Sequence, residues 1–107
     1  MVTDNVCLVK DNTNTCADDF GFFLVTEQQG LTGLDGILGL SPNYPDNGPS
    51  FIGTLFKEGK IPAAVTAFNL SNAFYGATTQ STITFGGYDK TAMIGDMYTH
   101  DLDELNT

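Results

Sequence analysis

Basic residues are what this sequence has least of. Lys and Arg together number 4 against 13 Asp+Glu over 107 residues, a formal net charge of -9. The cations are Lys10, Lys57, Lys60 and Lys90, with His100 the sole histidine. Binding to a nucleic-acid backbone draws on clustered Lys and Arg that displace counterions. An acidic field repels phosphate instead of steering it, so nucleic acid and anionic membrane surfaces are excluded as partners. A secretory leader is not read in the first residues: Met1 to Lys10 has no basic start, no long apolar stretch and no small-residue cleavage site. Long apolar runs are lacking as well. The uncharged stretch from Ile61 to Tyr88 is rich in Ser, Thr, Asn and Gln, whereas a membrane span needs about 20 mostly apolar residues. With 41% apolar and 11% aromatic residues there is enough hydrophobic material to fold. The length allows one small domain, burying roughly two-thirds of its unfolded surface.

Cysteine is scarce too, with Cys7 and Cys16 the only two. Asn5 to Lys10 and Thr15 to Thr26 read as strands around the turn-forming residues Asp11, Asn12, Thr13 and Asn14. Taking Asp11-Asn12 as a two-residue loop sets Lys10 opposite Thr13 and, counting back, Cys7 opposite Cys16. Opposed residues of antiparallel strands have Cα atoms about 4.5 to 5.5 Å apart, within disulfide reach. The register favours a disulfide over metal ligation, since two Cys and the distant His100 fall short of a four-ligand zinc site. A reduced pair in a cytosolic protein stays open. No metal site is expected.

Further along, Phe20, Phe22 and Leu24 alternate with Phe23 and Val25, which implies burial on both faces or packing against a second lobe. Asp35-Gly36 is a hairpin-turn dipeptide, and Ser41 to Gly48 is a loop of structure breakers. One short α-helix is expected near 49–58: Pro49 at its first position behind Asn47 or Gly48 as cap, Phe51/Leu55 and Ile52/Phe56 on the apolar face, Gly59 closing it and Lys57 and Lys60 at the negative end. Val65 to Leu70, Ser81 to Phe85 and Asp96 to Leu102 read as strands, so the fold class is mainly β with a single short helix. No internal repeat or linker is present.

The order of these elements carries more than any one of them. The hairpin is followed by Asp35-Gly-Ile-Leu-Gly-Leu-Ser-Pro42, the helix beginning Pro49-Ser-Phe-Ile-Gly-Thr-Leu55, Gly59-Lys-Ile61, Phe68-Asn-Leu70, Ile83-Thr-Phe-Gly-Gly-Tyr-Asp89 and Gly95-Asp-Met97. This series resembles the later part of the N-terminal lobe of pepsin-like aspartic proteases, from about Thr3 to about Leu102. The resemblance implies part of an acid-protease lobe of the double-psi β-barrel type, a single peptidase domain over 1–107 truncated at both ends. It implies that Ile37, Leu38 and Gly39 form a buried strand beside the loop bearing the catalytic aspartate, where a Cβ at Gly39 collides. It also implies that Leu34 and Ile37 help form an apolar pocket for a substrate side chain. Asp35, Gly36, Leu38 and Gly39 are the structural motif, and the segment between Thr26 and Leu34 is short and lacks the aromatic that many members place there.

The family's chemistry uses two carboxylates, one from each lobe, that share a proton and activate a water. Each sits in an Asp-Thr-Gly or Asp-Ser-Gly triplet, and this sequence contains neither. No catalytic residue is therefore assigned, no cofactor is expected, and the chain is expected to be inactive alone. Its partners would be the remainder of a bilobal chain and a peptide or protein substrate, in a secreted or lysosomal/vacuolar setting. A non-catalytic protease-like binding module is the alternative.

Smaller features read as structural. Asp35 lacks the Thr or Ser that a catalytic aspartate needs and is expected to accept backbone N–H bonds at a strand entry. Asp11 to Thr15 departs from a calcium loop, with threonines at ligand positions and Cys16 where glycine is needed. His100 reads as a surface strand residue, and Asp101, Asp103 and Glu104 as a solvated end. Asn69-Leu70-Ser71 has the form of an N-glycosylation triplet.

Overall fold

A computed structural model describes residues 1–42, 48–72, 74, 76 and 80–102. Two of the sequence expectations, Asn47 as a helix cap and Asp103 and Glu104 as a solvated end, lie outside them. Strand β1 (Val2–Cys7) pairs antiparallel with β2 (Cys16–Phe22), and β3 (Thr66–Asn69) pairs antiparallel with β4 (Thr82–Phe85). Helix α1 (Phe51–Lys57) lies between the two ribbons in sequence. This is the β-rich, one-helix arrangement expected for part of a pepsin-like lobe.

The first ribbon places Cys7 opposite Cys16 and the two are joined by a disulfide, with Cα atoms 3.9 Å apart. The expected two-residue loop is replaced by a longer one. The Asn12 amide donates to the Val9 carbonyl, Asp11 takes a left-handed φ of 62°, and Thr13–Thr15 then forms a 3-10 turn. Thr15 ties the loop together by donating its hydroxyl to the Asn12 carbonyl at 2.7 Å and accepting from the Val9 amide. The cysteine register survives because the Leu8 amide still reaches the Thr15 carbonyl, one step beyond the disulfide.

Further down the ribbon the register shifts, with Asp18 and Asp19 of β2 opposing Asn5 alone. The extra residue is accommodated by Asp19 at φ 47°, and Asn5 accepts from its amide. A bulge of this kind resets side-chain alternation. It brings Ala17 and Phe20, three apart in sequence, onto the same core. Of the two alternatives for this run, burial on both faces is not seen within this chain: β2 ends at Phe22, and Phe23, Leu24 and Val25 are exposed. Nothing among the described residues pairs with or covers them.

Helix α1 begins two residues later than expected, at Phe51 instead of Pro49. Ser50 is the cap, its hydroxyl accepting from the Gly53 amide at 3.2 Å, and Pro49 stands outside it. A serine satisfies an orphan N–H that Gly48 has no side chain to reach. At the other end Gly59 turns left-handed at φ 70°, and the Gly59 and Lys60 amides bond the Phe56 and Leu55 carbonyls, a Schellman closure. Phe51, Ile52 and Leu55 are buried, while Phe56 is half-exposed. They meet Ala17 and Phe20, with the Phe20 and Phe51 rings edge-to-face at 5.5 Å. Val6, Phe22, Leu40, Ile61 and Phe85 surround this cluster. It is the core that binds both ribbons to the helix.

The expected strand from Asp96 to Leu102 is not formed. An alternating run becomes a strand only when another edge takes up its backbone groups, and no described residue offers one. Gly86, just after β4, has φ 90° and bonds the Val65 carbonyl. A Cβ there would stand 2.9 Å from Ile61 Cβ and Pro62 Cδ.

Candidate functional site

The Leu34–Leu40 run joins the first ribbon to the helix without belonging to any strand. Asp35-Gly36 makes no hairpin, because no second strand follows it. Leu34 is 59% and Ile37 77% exposed, and Leu38 is 40% exposed. Only Leu40 reaches the core cluster. The Asp35 carboxylate accepts no hydrogen bond from a described residue, so the expected bonding at a strand entry is not formed. A Cβ at Gly39 meets nothing within 4 Å. The expected buried strand and the expected collision at Gly39 are therefore not produced by this chain's own residues. The segment against which the resemblance threads them, the loop with the catalytic aspartate, has no counterpart triplet in the sequence.

Where this run meets the helix there is an open groove of about 390 Å³, walled by Leu40, Pro42, Ile52, Ala64 and Phe68 with Ser50 at its edge. Among the described residues, no Asp, Glu, His or Lys lines it. Such a surface takes up an apolar side chain, and its described lining holds no titratable group to move a proton. Leu34 and Ile37 do not line it.

The most concentrated charge lies elsewhere, at Lys60. Its ammonium donates to the Cys16 carbonyl at 2.6 Å and contacts Asp18 Oδ2 at 2.8 Å and Glu58 Oε2 at 2.9 Å. Glu58 in turn accepts from the Asp18 amide. Hydrogen bonds donated to the carboxylates of Asp18 and then Glu58 hold the Lys60 pKa above its ordinary value of 10.5. The cluster straps β2 to the end of α1, and every member is occupied, so it reads as architecture. Sequence placed Lys60 at the helix end for the dipole alone; its pairing with Asp18, 42 residues away, left no local signal. Asp89 caps the 3-10 turn Lys90–Ala92 and is held below its ordinary value of 3.8 by bonds from the Thr91 hydroxyl and amide. His100 is exposed and outside any element. Among the described residues no group of three or more His, Cys, Asp or Glu is placed to hold a metal ion. No helix among them is long and apolar enough to cross a membrane.

Among the described residues the geometry is that of a scaffold with an apolar groove that no titratable side chain lines. The profile of the eukaryotic aspartyl protease family matches residues 5–107. The chain belongs to this family. Searches among curated proteins and among solved structures gave no match. Membership of the aspartyl proteases makes the missing triplet the central fact about the site: the family's two carboxylates are its catalytic machinery, and neither motif is in this sequence. Asp35 does not replace one, standing alone in solvent with Gly36 where Thr or Ser is needed.

Proposed function

We propose that this chain is one part of the first lobe of a pepsin-like aspartic endopeptidase, a single peptidase domain truncated on both sides over 1–107. The parent hydrolyses peptide bonds at acid pH with a water activated between two aspartates, and this chain alone is inactive. The observation that carries the reading is the family match over 5–107 in a sequence with no Asp-Thr-Gly or Asp-Ser-Gly. In the parent, Asp35, Gly36, Leu38 and Gly39 form the strand beside the catalytic loop, and Leu34 and Ile37 line the pocket for a substrate side chain. Their exposure in this chain supports the reading, since apolar side chains left in water are ones that another segment covers. The disulfide accords with a secreted, lysosomal or vacuolar protein. Net charge -9 accords with acid conditions, where protonation of carboxylates relieves the repulsion.

The absent triplet also favours a second reading, a protease-like module that binds a peptide or protein without cutting it. The test is to sequence the transcript in both directions and to assay its full product on a denatured protein at low pH. Catalytic triplets in both lobes and cleavage blocked by a statine-type transition-state mimic are the expected result. A full product without them, binding peptide but leaving it intact, would establish the second reading instead.

A further inference from the structure

We propose that Asn69 is an N-glycosylation site. Asn69-Leu70-Ser71 is the sole Asn-X-Ser/Thr triplet with a residue other than proline in the middle. Such a triplet gains weight when the fold presents it. Asn69 is exposed at the last position of β3, paired through its backbone with Thr82 in a ribbon of two strands. Its amide side chain bonds no described residue, and the flanking Phe68 and Leu70 are exposed as well. The face it shares with Ala67, Thr82 and Thr84 opens on a shallow groove of about 110 Å³ that Tyr88 also lines. The disulfide is an independent observation: Cys7–Cys16 calls for an oxidising folding compartment, the kind in which N-linked sugars are added.

Transfer takes place on the nascent chain, before Ser71 closes the following loop. In the folded state the Ser71 amide donates to Ser81 Oγ at 3.0 Å and the two hydroxyls pair at 3.2 Å. The co-reactant is an oligosaccharide linked to a polyprenyl pyrophosphate. Asn69 Nδ2 forms a bond to the anomeric carbon and loses one proton to solvent. The bond from that carbon to the pyrophosphate oxygen breaks, and the lipid pyrophosphate leaves with its electron pair.

Translation of the full chain behind a cleavable leader, with microsomes from the endoplasmic reticulum, tests this independently of folding. The expected result is a single upward step in apparent mass of the translocated chain, removed by peptide-N-glycosidase. The step should be lost in Asn69→Gln and Ser71→Ala and kept in Ser71→Thr. A translocated wild-type chain without the step overturns the proposal, as does a step that persists in Asn69→Gln.

Discussion

Gly86 and Gly39 are the same residue type in opposite situations. At Gly86 a methyl group would enter within 2.9 Å of Ile61 and Pro62, at a φ of 90° that side chains avoid. Gly86→Ala is expected to cost about 1–3 kcal/mol, read as a lower urea midpoint. Gly39→Ala, with open space around it, should change the chain's stability by less than about 0.5 kcal/mol. The same change in a complete lobe should cost more if Gly39 threads beside the catalytic loop. Equal, negligible effects in both settings would count against that placement. At Lys60 the raised pKa fixes a sign: its contribution is whole below 10.5 and is lost as pH rises through the higher folded value. Stability of the wild type should therefore fall on an alkaline limb that Lys60→Met lacks. Asp89 behaves in the opposite sense, its cap persisting below pH 3.8 and opening only as pH falls through the lowered value. Amide chemical shifts of Thr91 report that opening. Lys60 and Asp89 differ in how far sequence could reveal them: Asp89 and Thr91 are two apart, a local pattern, whereas Lys60 meets Asp18 only after the helix docks on β2.

At the scale of elements, the first ribbon and the helix hold each other. Ser50→Ala removes the acceptor for the Gly53 amide and should lower stability by about 1 kcal/mol, measured by urea unfolding. Reducing the Cys7–Cys16 bond releases a loop with a sequence separation of 9, for which loop-closure entropy predicts a loss of about 2.5–3 kcal/mol. The loss should appear as faster hydrogen exchange in β1 and β2, while the β3–β4 ribbon changes less. Uniform exchange in both ribbons would mean that they open as one unit. Helix and first ribbon were legible because their signals are local: an i, i+4 apolar pair at Phe51 and Leu55, a glycine at the helix end, turn residues between strand runs. The Asp18-Asp19 bulge was not, since it depends on which residue of β1 stands opposite. Asp96 to Leu102 has the alternation of a strand and lacks a partner, so its pattern alone misled.

As a whole molecule the chain is open. Its accessible surface is 9442 Å² for a mass of 11.5 kDa, against about 5,800 Å² for a compact monomer of that mass. Its radius of gyration is 16.4 Å, where a packed domain of this length has about 13 Å. Phe23, Leu24, Val25 and Ile37 all stand in water. The isolated chain is therefore expected to bind a hydrophobic dye such as ANS and to melt over a broad range. A sharp, cooperative melt of a dye-negative monomer would contradict the partial-lobe reading, because such a chain has no missing surface to recover.

Sequence alone determined the local order: the hairpin and its cysteine register, the helix, the two later strand runs and, through the order of their motifs, the aspartyl protease family. These follow from patterns within a few residues or from their succession along the chain. Only the tertiary structure decided that Lys60 straps β2 to the helix, that the bulge sends Ala17 and Phe20 to one core, and that Gly86 rather than Gly39 is the crowded glycine. It also decided that Leu34 to Leu38 lie outside the core. Each depends on which distant segment comes alongside, and pairing between distant segments is set by the packed chain as a whole.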